Sequence, residues 1–369
     1  MVKIKKIYYA IRNISISGIL LFIVLLPLVG FLFPNSNVTP STDQIPENNL
    51  YCLDQDPATN NTLLMVHGYG INARAHFEDT YTNPAILSYY NSVVPIDYYG
   101  AVPSAPQAYS LGRSDFDFNT PIEDIAWELK EFILNPNNSA LFTETIDIIG
   151  YSMGGLITRY MIINYYDEIK AANFTIDDVV LIATPNHGIY HIQGFNNLFY
   201  ILYASLSIML LLVFLYSGDE KKKLRYILIL ICLIAVLFAN ILLETLIFTF
   251  QAGEVGVGSA FLKTLETGDD TPYSVDDSPP YNDINWTTFR GDGSNGFFFE
   301  RLLIFFSFIN EPNDGEVTVG SVPLGDGAIN YGPYHRNHDE MVNFNTSIEA
   351  DRLYFSDIYY ILTGQAYPG

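Results

Sequence analysis

IDIIGYSMGGLITRY, residues 146–160, begins as an apolar run, stops at Gly150 and turns through Tyr-Ser-Met-Gly-Gly. The pattern predicts a buried strand, a sharp turn and a helix. A serine in a strand–GxSxG–helix turn exposes its Oγ, and Gly150 and Gly154 carry no Cβ that would block neighbouring chain. The first N–H groups of the helix would face a developing oxyanion near Ser152. The alternative is a tight turn without chemistry, because glycine is common in turns.

Strand patterns alternate with helical patterns around this turn. Buried strands are predicted at 62–70, 93–100 and 179–185, and sheet-like sequence resumes at 284–290. A helix is predicted at 122–134, with one apolar face. That face consists of Ile122, Ile125, Leu129, Phe132 and Ile133. The alternation predicts an α/β fold, with a mostly parallel sheet and helices on both faces.

The chain contains three stretches long enough to span a membrane, at 14–33, 198–216 and 226–248. Eight of the 18 Lys and Arg residues lie before the first stretch and in the link at 221–225, as expected of cytoplasmic ends. The first stretch is predicted to be an uncleaved anchor, because its apolar run is longer than that of a signal peptide. We therefore expect a multi-pass membrane protein with its catalytic domain on the extracytoplasmic side.

The sequence predicts five segments, and two of them form the halves of one globular domain. These are a cytoplasmic tail and anchor (1–33), a polar linker (34–49), a first core part (50–191), an insertion with a transmembrane hairpin (192–283) and a second core part (284–369). Residues 297–309 are too short for a span and would form a core or interfacial helix.

Charge and cysteine content exclude two classes of protein. The chain has 40 Asp and Glu residues against 18 Lys and Arg, and such a field repels nucleic acid. Of the two cysteines, Cys52 is predicted to lie outside the membrane and Cys232 within a span, so no disulfide framework is expected. Six N-x-S/T triplets lie in the predicted outer segments, which agrees weakly with the outward placement.

Four stretches, in this order, resemble motifs of the α/β-hydrolase superfamily and, within it, of the bacterial true lipases. They are VHGYG (66–70), IDIIGYSMGGLITRY, VVLIATPNHG (179–188), and the pair PNDGEVTVGSVPLG (312–325) and NHDEMVN (337–343). The resemblance implies an oxyanion loop at His67-Gly68, a nucleophile at Ser152 and an acid loop followed by a histidine loop. The chain departs from many of these lipases at Tyr151, where they carry His.

The nucleophile needs a base, since a serine hydroxyl is a poor nucleophile at neutral pH. The chain has six histidines, and His335 and His338 follow the acidic loop in the order Ser…Asp…His expected of this fold. His338 fits the histidine-loop context better, and His335 is the alternative. His67 and His187 are predicted to shape their turns, whereas His76 and His191 have no suggestive context.

The acid that orients the base is predicted to be Asp314, in an Asn-Asp-Gly turn 24 residues before His338. Its competitors are Asp326 and Asp292, and Asp-Gly could also make a turn without further role. Backbone N–H groups of Tyr69 and Met153 are expected to bind the oxyanion.

These features predict an outward-facing serine lipase or esterase that cleaves carboxylic esters of lipids through Ser152, His338 and Asp314. No cofactor is implied, although a structural calcium held by Asp292 with Asp339 or Glu340 stays open. The partners expected are the ester substrate and the membrane. Two alternatives remain: an acyltransferase or lipid-remodelling deacylase with the same triad, and a non-catalytic membrane scaffold.

Overall fold

The computed structural model describes residues 60–70, 72–189, 254–256, 259–265, 281, 283–293, 313–314, 316–317, 319–325, 327–342 and 349–368. The three predicted spans and the segment 297–309 lie outside these residues. Among the residues described, no helix combines the length and apolarity needed to cross a membrane.

Seven parallel strands form one sheet in the order β3-β2-β1-β4-β5-β6-β7. They are β1 (Thr62–Val66), β2 (Ser92–Asp97), β3 (Tyr109–Ser110), β4 (Thr145–Tyr151), β5 (Thr175–Ile182), β6 (Asn285–Gly291) and β7 (Ala328–Tyr334). The chain runs outward from β1 to β3 on one side and from β4 to β7 on the other. The strand order therefore reverses between β1 and β4, whose carboxyl ends lie side by side.

Six α-helices accompany the sheet in the described part of the chain. They are α1 (Ala73–Tyr81), α2 (Pro84–Tyr89), α3 (Ile122–Leu134), α4 (Met153–Ala171), α5 (Ala260–Leu265) and α6 (Glu349–Thr363). Short 3-10 turns occur at Pro136–Asn138, Val319–Ser321 and Asp339–Val342.

Each face of the sheet has its own apolar core, because side chains of a strand alternate between its two sides. In β1, Leu64 and Val66 pack with α3, α4 and α5, whereas Leu63 and Met65 pack with α1, α2 and α6. The prediction of a mostly parallel sheet covered by helices on both faces is confirmed. The predicted apolar face of α3 is also confirmed, with Phe132 only partly buried.

The strand β5 begins four residues before the predicted start at residue 179. A bulge explains the difference: Ile146 pairs with Ile176, but Ile148 pairs with Val179, so β5 has one extra residue at Asp177-Asp178. These two carboxylates interrupt the apolar pattern by which the strand was predicted.

The two core segments contribute to one sheet, since β6 pairs directly with β5. Part of the predicted insertion also packs on this core. Glu254 accepts a hydrogen bond (2.9 Å) from the Ile122 N–H at the start of α3, and Arg159 of α4 donates one (3.3 Å) to the Leu265 carbonyl. The residues of the predicted insertion that precede β6 therefore already contact α3 and α4, which cover the sheet.

Gly154 in the first turn of α4 lies directly against β1. A Cβ built on it would be 2.1 Å from the carbonyl oxygen of Val66, so the strand and the helix could not keep their separation. We expect Gly154→Ala to lower the free energy of unfolding by about 3 kcal/mol or more. The measurement is the urea midpoint of unfolding at unchanged m value.

Gly112→Ala is the matched control for Gly154→Ala. Gly112 has a left-handed φ of 79° but nothing within 4 Å of an added Cβ, so this variant should lose only about 1 kcal/mol. Equal losses in the two variants would contradict the prediction, because they would show that the contact of Gly154 with β1 costs no more than a left-handed backbone at an open site.

Candidate active site

Ser152 occupies the single residue between the end of β4 and the start of α4. Its φ of 51° and ψ of −124° lie in a region that a residue with a Cβ rarely adopts. The backbone is held there by a hydrogen bond (2.8 Å) from the Ser152 N–H to the carbonyl of Ile182, at the end of β5. The neighbouring strands thus hold a strained turn, as is common where a side chain has a chemical role.

The side chains of Ser152, His338 and Asp314 form a continuous hydrogen-bonded chain. His338 Nε2 is 2.9 Å from Ser152 Oγ, and His338 Nδ1 is 2.9 Å from Asp314 Oδ2. All three side chains are buried. A carboxylate at Nδ1 holds the imidazole in the tautomer whose Nε2 accepts the serine proton.

The loops that carry His338 and Asp314 are tied to each other. The His338 N–H donates to the carbonyl of Asp314 (2.8 Å), and the Tyr151 hydroxyl donates to the carbonyl of His338 (3.0 Å). Asp314 Oδ1 accepts from the N–H groups of Glu316 (3.0 Å) and Val317 (2.8 Å). One carboxylate oxygen is therefore held by backbone N–H groups, while the other, Oδ2, contacts the imidazole.

The environment of His338 favours its protonated form. Burial lowers its pKa, but the carboxylates of Asp314 and Glu316 and the hydrogen bond to Asp314 raise it, with a net rise to about 9. The neutral imidazole that can accept the serine proton is therefore populated increasingly as the pH rises towards 9.

The loop after β1 lies against the serine. A Cβ on Gly68 would be 3.0 Å from the Cβ of Ser152, so only glycine brings this backbone so close. Met153 is the first residue of α4, where a backbone N–H has no acceptor within the helix. Tyr69 follows Gly68 directly. The roles of the Tyr69 and Met153 N–H groups in binding an oxyanion stay predictions.

His67 and His76 are neutral side chains that shape this loop. Burial lowers the pKa of each to about 3. His76 Nδ1 accepts from the Gly68 N–H (3.2 Å), while His67 stacks on Tyr98 at a ring-centroid distance of 3.9 Å. The Tyr98 hydroxyl lies within 2.9 Å of the carbonyl oxygens of His67 and Gly68. A neutral imidazole also suits the hydrogen bond between His67 Nδ1 and the Gly68 carbonyl.

The alternative base and acid lie apart from this chain of hydrogen bonds. His335 has a side chain that is 75% exposed, and its Nδ1 lies 3.3 Å from Asp292 Oδ1. His187 contacts the Pro323 carbonyl through Nε2 (2.9 Å), which fits its predicted place in a structural turn. Asp326 and His191 lie outside the described residues.

The described residues contain one group of three acidic side chains whose carboxylate oxygens lie within 4.8 Å of each other. It consists of Asp147, Asp177 and Asp178, towards the amino ends of β4 and β5 and away from Ser152. Asp292, Asp339 and Glu340, at which the sequence left calcium open, are not part of this group, and the structure does not test calcium there.

Four residues near the site were not given a role by the sequence. Tyr151 anchors the histidine loop, and His76 and Tyr98 hold the loop after β1. Glu316 was also missed: its Oε2 lies 3.5 Å from His338 Nε2, on the nitrogen that faces the serine. The sequence signal for Glu316 was its position two residues after Asp314. That position does not show that the carboxylate reaches His338 Nε2, because the contact depends on how the loop folds.

No protein-family model and no curated protein sequence matches the chain. Among solved structures, a mature lipase of Bacillus licheniformis is similar, with 17% identity, a TM-score of 0.46 and coverage of 81% of this chain and 93% of the lipase. A lipase-esterase related protein of Clostridium acetobutylicum has 17% identity, a TM-score of 0.37 and coverage of 82% and 95%. A phospholipase of Legionella pneumophila has 12% identity, a TM-score of 0.36 and coverage of 71% and 45%. At these identities and TM-scores, the similarities do not support an inference about activity. The functional inference therefore rests on the arrangement of Ser152, His338 and Asp314.

Proposed function

We propose that this protein is a serine hydrolase of the α/β-hydrolase fold that cleaves carboxylic esters. The observation that carries the proposal is the hydrogen-bonded chain from Ser152 through His338 to Asp314, with the serine at a strained strand–helix turn. A scaffold protein would have no need of a buried serine, imidazole and carboxylate in this order.

The reaction would proceed through an acyl-enzyme. Ser152 Oγ attacks the ester carbonyl carbon while His338 Nε2 takes the hydroxyl proton, and the negative charge moves to the carbonyl oxygen. His338 then protonates the departing alcohol as the acyl–oxygen bond breaks. Water attacks the acyl-Ser152 ester by the same steps, which releases the carboxylic acid and restores the serine hydroxyl.

The charge that develops on the imidazole would be stabilised by Asp314. Its carboxylate is only 1% exposed and already accepts two backbone N–H groups through Oδ1. The charge on the substrate oxygen would be stabilised by the N–H groups of Met153 and Tyr69. Each such donor contributes about 2.7–4 kcal/mol of transition-state stabilisation.

The substrate class that we propose is a lipid ester. The support comes from the sequence: the four motifs that resemble those of lipases, and the apolar stretches at 198–216 and 226–248, which enter the chain between β5 and β6. Two apolar stretches joined by a short charged link would stand side by side in a bilayer. They would hold both ends of this insertion at the lipid surface, close to the domain that carries Ser152.

The test of this activity is covalent labelling by a fluorophosphonate probe, followed by turnover of esters of increasing chain length. We expect labelling, and activity that is higher on lipid esters than on short soluble ones. Turnover with and without an acceptor alcohol separates hydrolysis from acyl transfer, since a transferase would be accelerated by the alcohol and yield a new ester. Absence of both labelling and turnover in folded protein would contradict the proposal and favour a scaffold.

We also propose that the link at 221–225 is cytoplasmic and the catalytic domain extracytoplasmic, on the basis of the Lys and Arg residues that flank the apolar stretches. In intact cells, and in a chain whose outward-facing Cys52 is replaced by serine, a cysteine at Lys222 should resist a membrane-impermeant maleimide, because the bilayer shields it. A cysteine at Asp277 should react. The reverse pattern would invert the topology, and reaction at both positions would show that the two stretches do not form a hairpin.

A further inference from the structure

Within the described part of the chain, His338 Nε2 has two oxygen neighbours. Ser152 Oγ lies at 2.9 Å, and the carboxylate oxygen Oε2 of Glu316 lies at 3.5 Å. The Glu316 side chain is 54% exposed, whereas those of His338 and Asp314 are 8% and 1% exposed. A carboxylate at the solvent-facing side of the site therefore approaches the nitrogen that exchanges the proton with the serine.

We propose that Glu316 is a positioning residue that holds the protonated His338 by an ionic contact at Nε2 and so sets the pH range in which Ser152 is activated. The inference rests on the proposed function, because it concerns the same base. It assigns a second carboxylate to this imidazole, on the nitrogen opposite the one that Asp314 contacts.

The two protonation states of His338 meet this carboxylate differently. In the imidazolium, the Nε2–H points towards oxygens of Ser152 and Glu316, and the carboxylate attracts its charge. In the neutral form with the proton on Nδ1, Nε2 presents a lone pair to the negative charge. Glu316 therefore favours the imidazolium over the imidazole.

This preference acts on two stages of the reaction in opposite senses. Before the reaction, it keeps the base protonated to a higher pH and so reduces the fraction of active enzyme. During serine attack, it stabilises the imidazolium that forms. Removing the charge of Glu316 should therefore raise activity at low pH and reduce it at high pH.

Among the residues that the structure describes, no other group near the imidazole takes the place of Glu316 at Nε2. Asp314 contacts Nδ1, Tyr151 of β4 is neutral, and its hydroxyl is bonded to the His338 carbonyl. Burial, together with the neighbouring histidines, keeps His76 of α1 neutral as well, with its pKa lowered to about 3. Asp339, which begins the 3-10 turn Asp339–Val342, acts on His338 only through its charge, as the weakest of the groups that raise its pKa.

The test is the pH dependence of kcat/KM for a neutral, soluble short-chain ester with the full chain and with Glu316→Gln. For an exposed carboxylate, we expect the acid limb to move to lower pH by about one unit. At pH values below this limb, the fraction of His338 that is deprotonated then rises about tenfold. Because the imidazole of the variant is a weaker base, its reaction with the serine slows about threefold. The two profiles should cross, with the variant about threefold more active at low pH and about threefold less active at high pH.

Two further measurements make the result specific to this contact. Asp339→Asn removes a nearby charge that has no contact with Nε2. The acid limb of its pH profile should therefore move much less than that of Glu316→Gln. An NMR titration of Glu316→Gln should show that the pKa of the His338 imidazole falls by the same amount as the acid limb. This measurement needs no turnover. Because the Glu316 side chain is half exposed and Asp339 is exposed, we expect both variants to fold.

Three results would overturn the inference: an unchanged acid limb, a uniform loss of activity at all pH values, or an equal shift in Asp339→Asn. These are separate from failure of the proposed function, which would appear as full activity in a Ser152→Ala variant. If Ser152→Ala is inactive and the profiles of the wild type and Glu316→Gln do not cross, the triad stands and the role of Glu316 does not.

Discussion

Replacing Ser152 with alanine is expected to abolish fluorophosphonate labelling and to reduce ester turnover by about 10⁶-fold. The reason is that Oγ of this residue is the atom that His338 Nε2 can deprotonate, at 2.9 Å. The fold should persist, because alanine keeps the Cβ and the backbone hydrogen bond to Ile182 remains. Labelling, kcat and the urea midpoint are measured on the same preparation.

Ser88→Ala is the matched control for the nucleophile. This exposed serine in α2 donates only to the carbonyl of Ala85, so its loss should leave labelling and kcat unchanged. Retained labelling in folded Ser152→Ala would contradict the assignment of Ser152 as nucleophile. A partial loss in both variants would indicate damage to the fold instead.

Replacing His338 with glutamine should reduce kcat by a similar factor of about 10⁶, because serine and histidine act as one unit and removing either costs nearly as much as removing both. Glutamine is preferred to alanine, since its amide can still donate to the buried carboxylate of Asp314. It cannot accept a proton at neutral pH. The measurements are the single-turnover rate with a soluble ester and the rate of probe labelling.

His335→Ala is the control for the base, because His335 was the alternative that the sequence left open. Its exposed ring contacts Asp292 and lies outside the hydrogen-bonded chain, so kcat should stay within about twofold of the wild type. A large loss in His335→Ala together with an active His338→Gln would exchange the two roles. Losses in both would point to disruption of the whole histidine loop.

Local chemistry made the strand–turn–helix around Ser152 predictable. Gly150 and Gly154 flank the serine within five consecutive residues, and this pattern can be recognised without knowing which backbone atoms lie near the glycines. The alternation of apolar residues likewise predicted the buried strands and the face of α3. These are short-range properties of the chain, which the period of a strand or a helix expresses directly.

Elements with weak local signals were missed. In β7, Gly332 and Pro333 oppose strand formation, and the strand exists because, among the described strands, it lies at the edge of the sheet and pairs with β6. Helices α1 and α2 are short, but the asparagines before them offered a signal. Asn72 and Asn83 cap their first turns by accepting from Ala75 and Ala85 N–H groups.

The sequence by itself determined the parallel α/β architecture and the position of the serine, because both depend on periodicity and on glycines adjacent in the chain. The sequence favoured His338 over His335, and tertiary structure decided between these residues three positions apart, since the loop turns His338 towards Ser152. It also brought Glu316 to Nε2 and His76 to Gly68. Such contacts depend on the angles at which separate loops leave the sheet, and no local pattern encodes those angles.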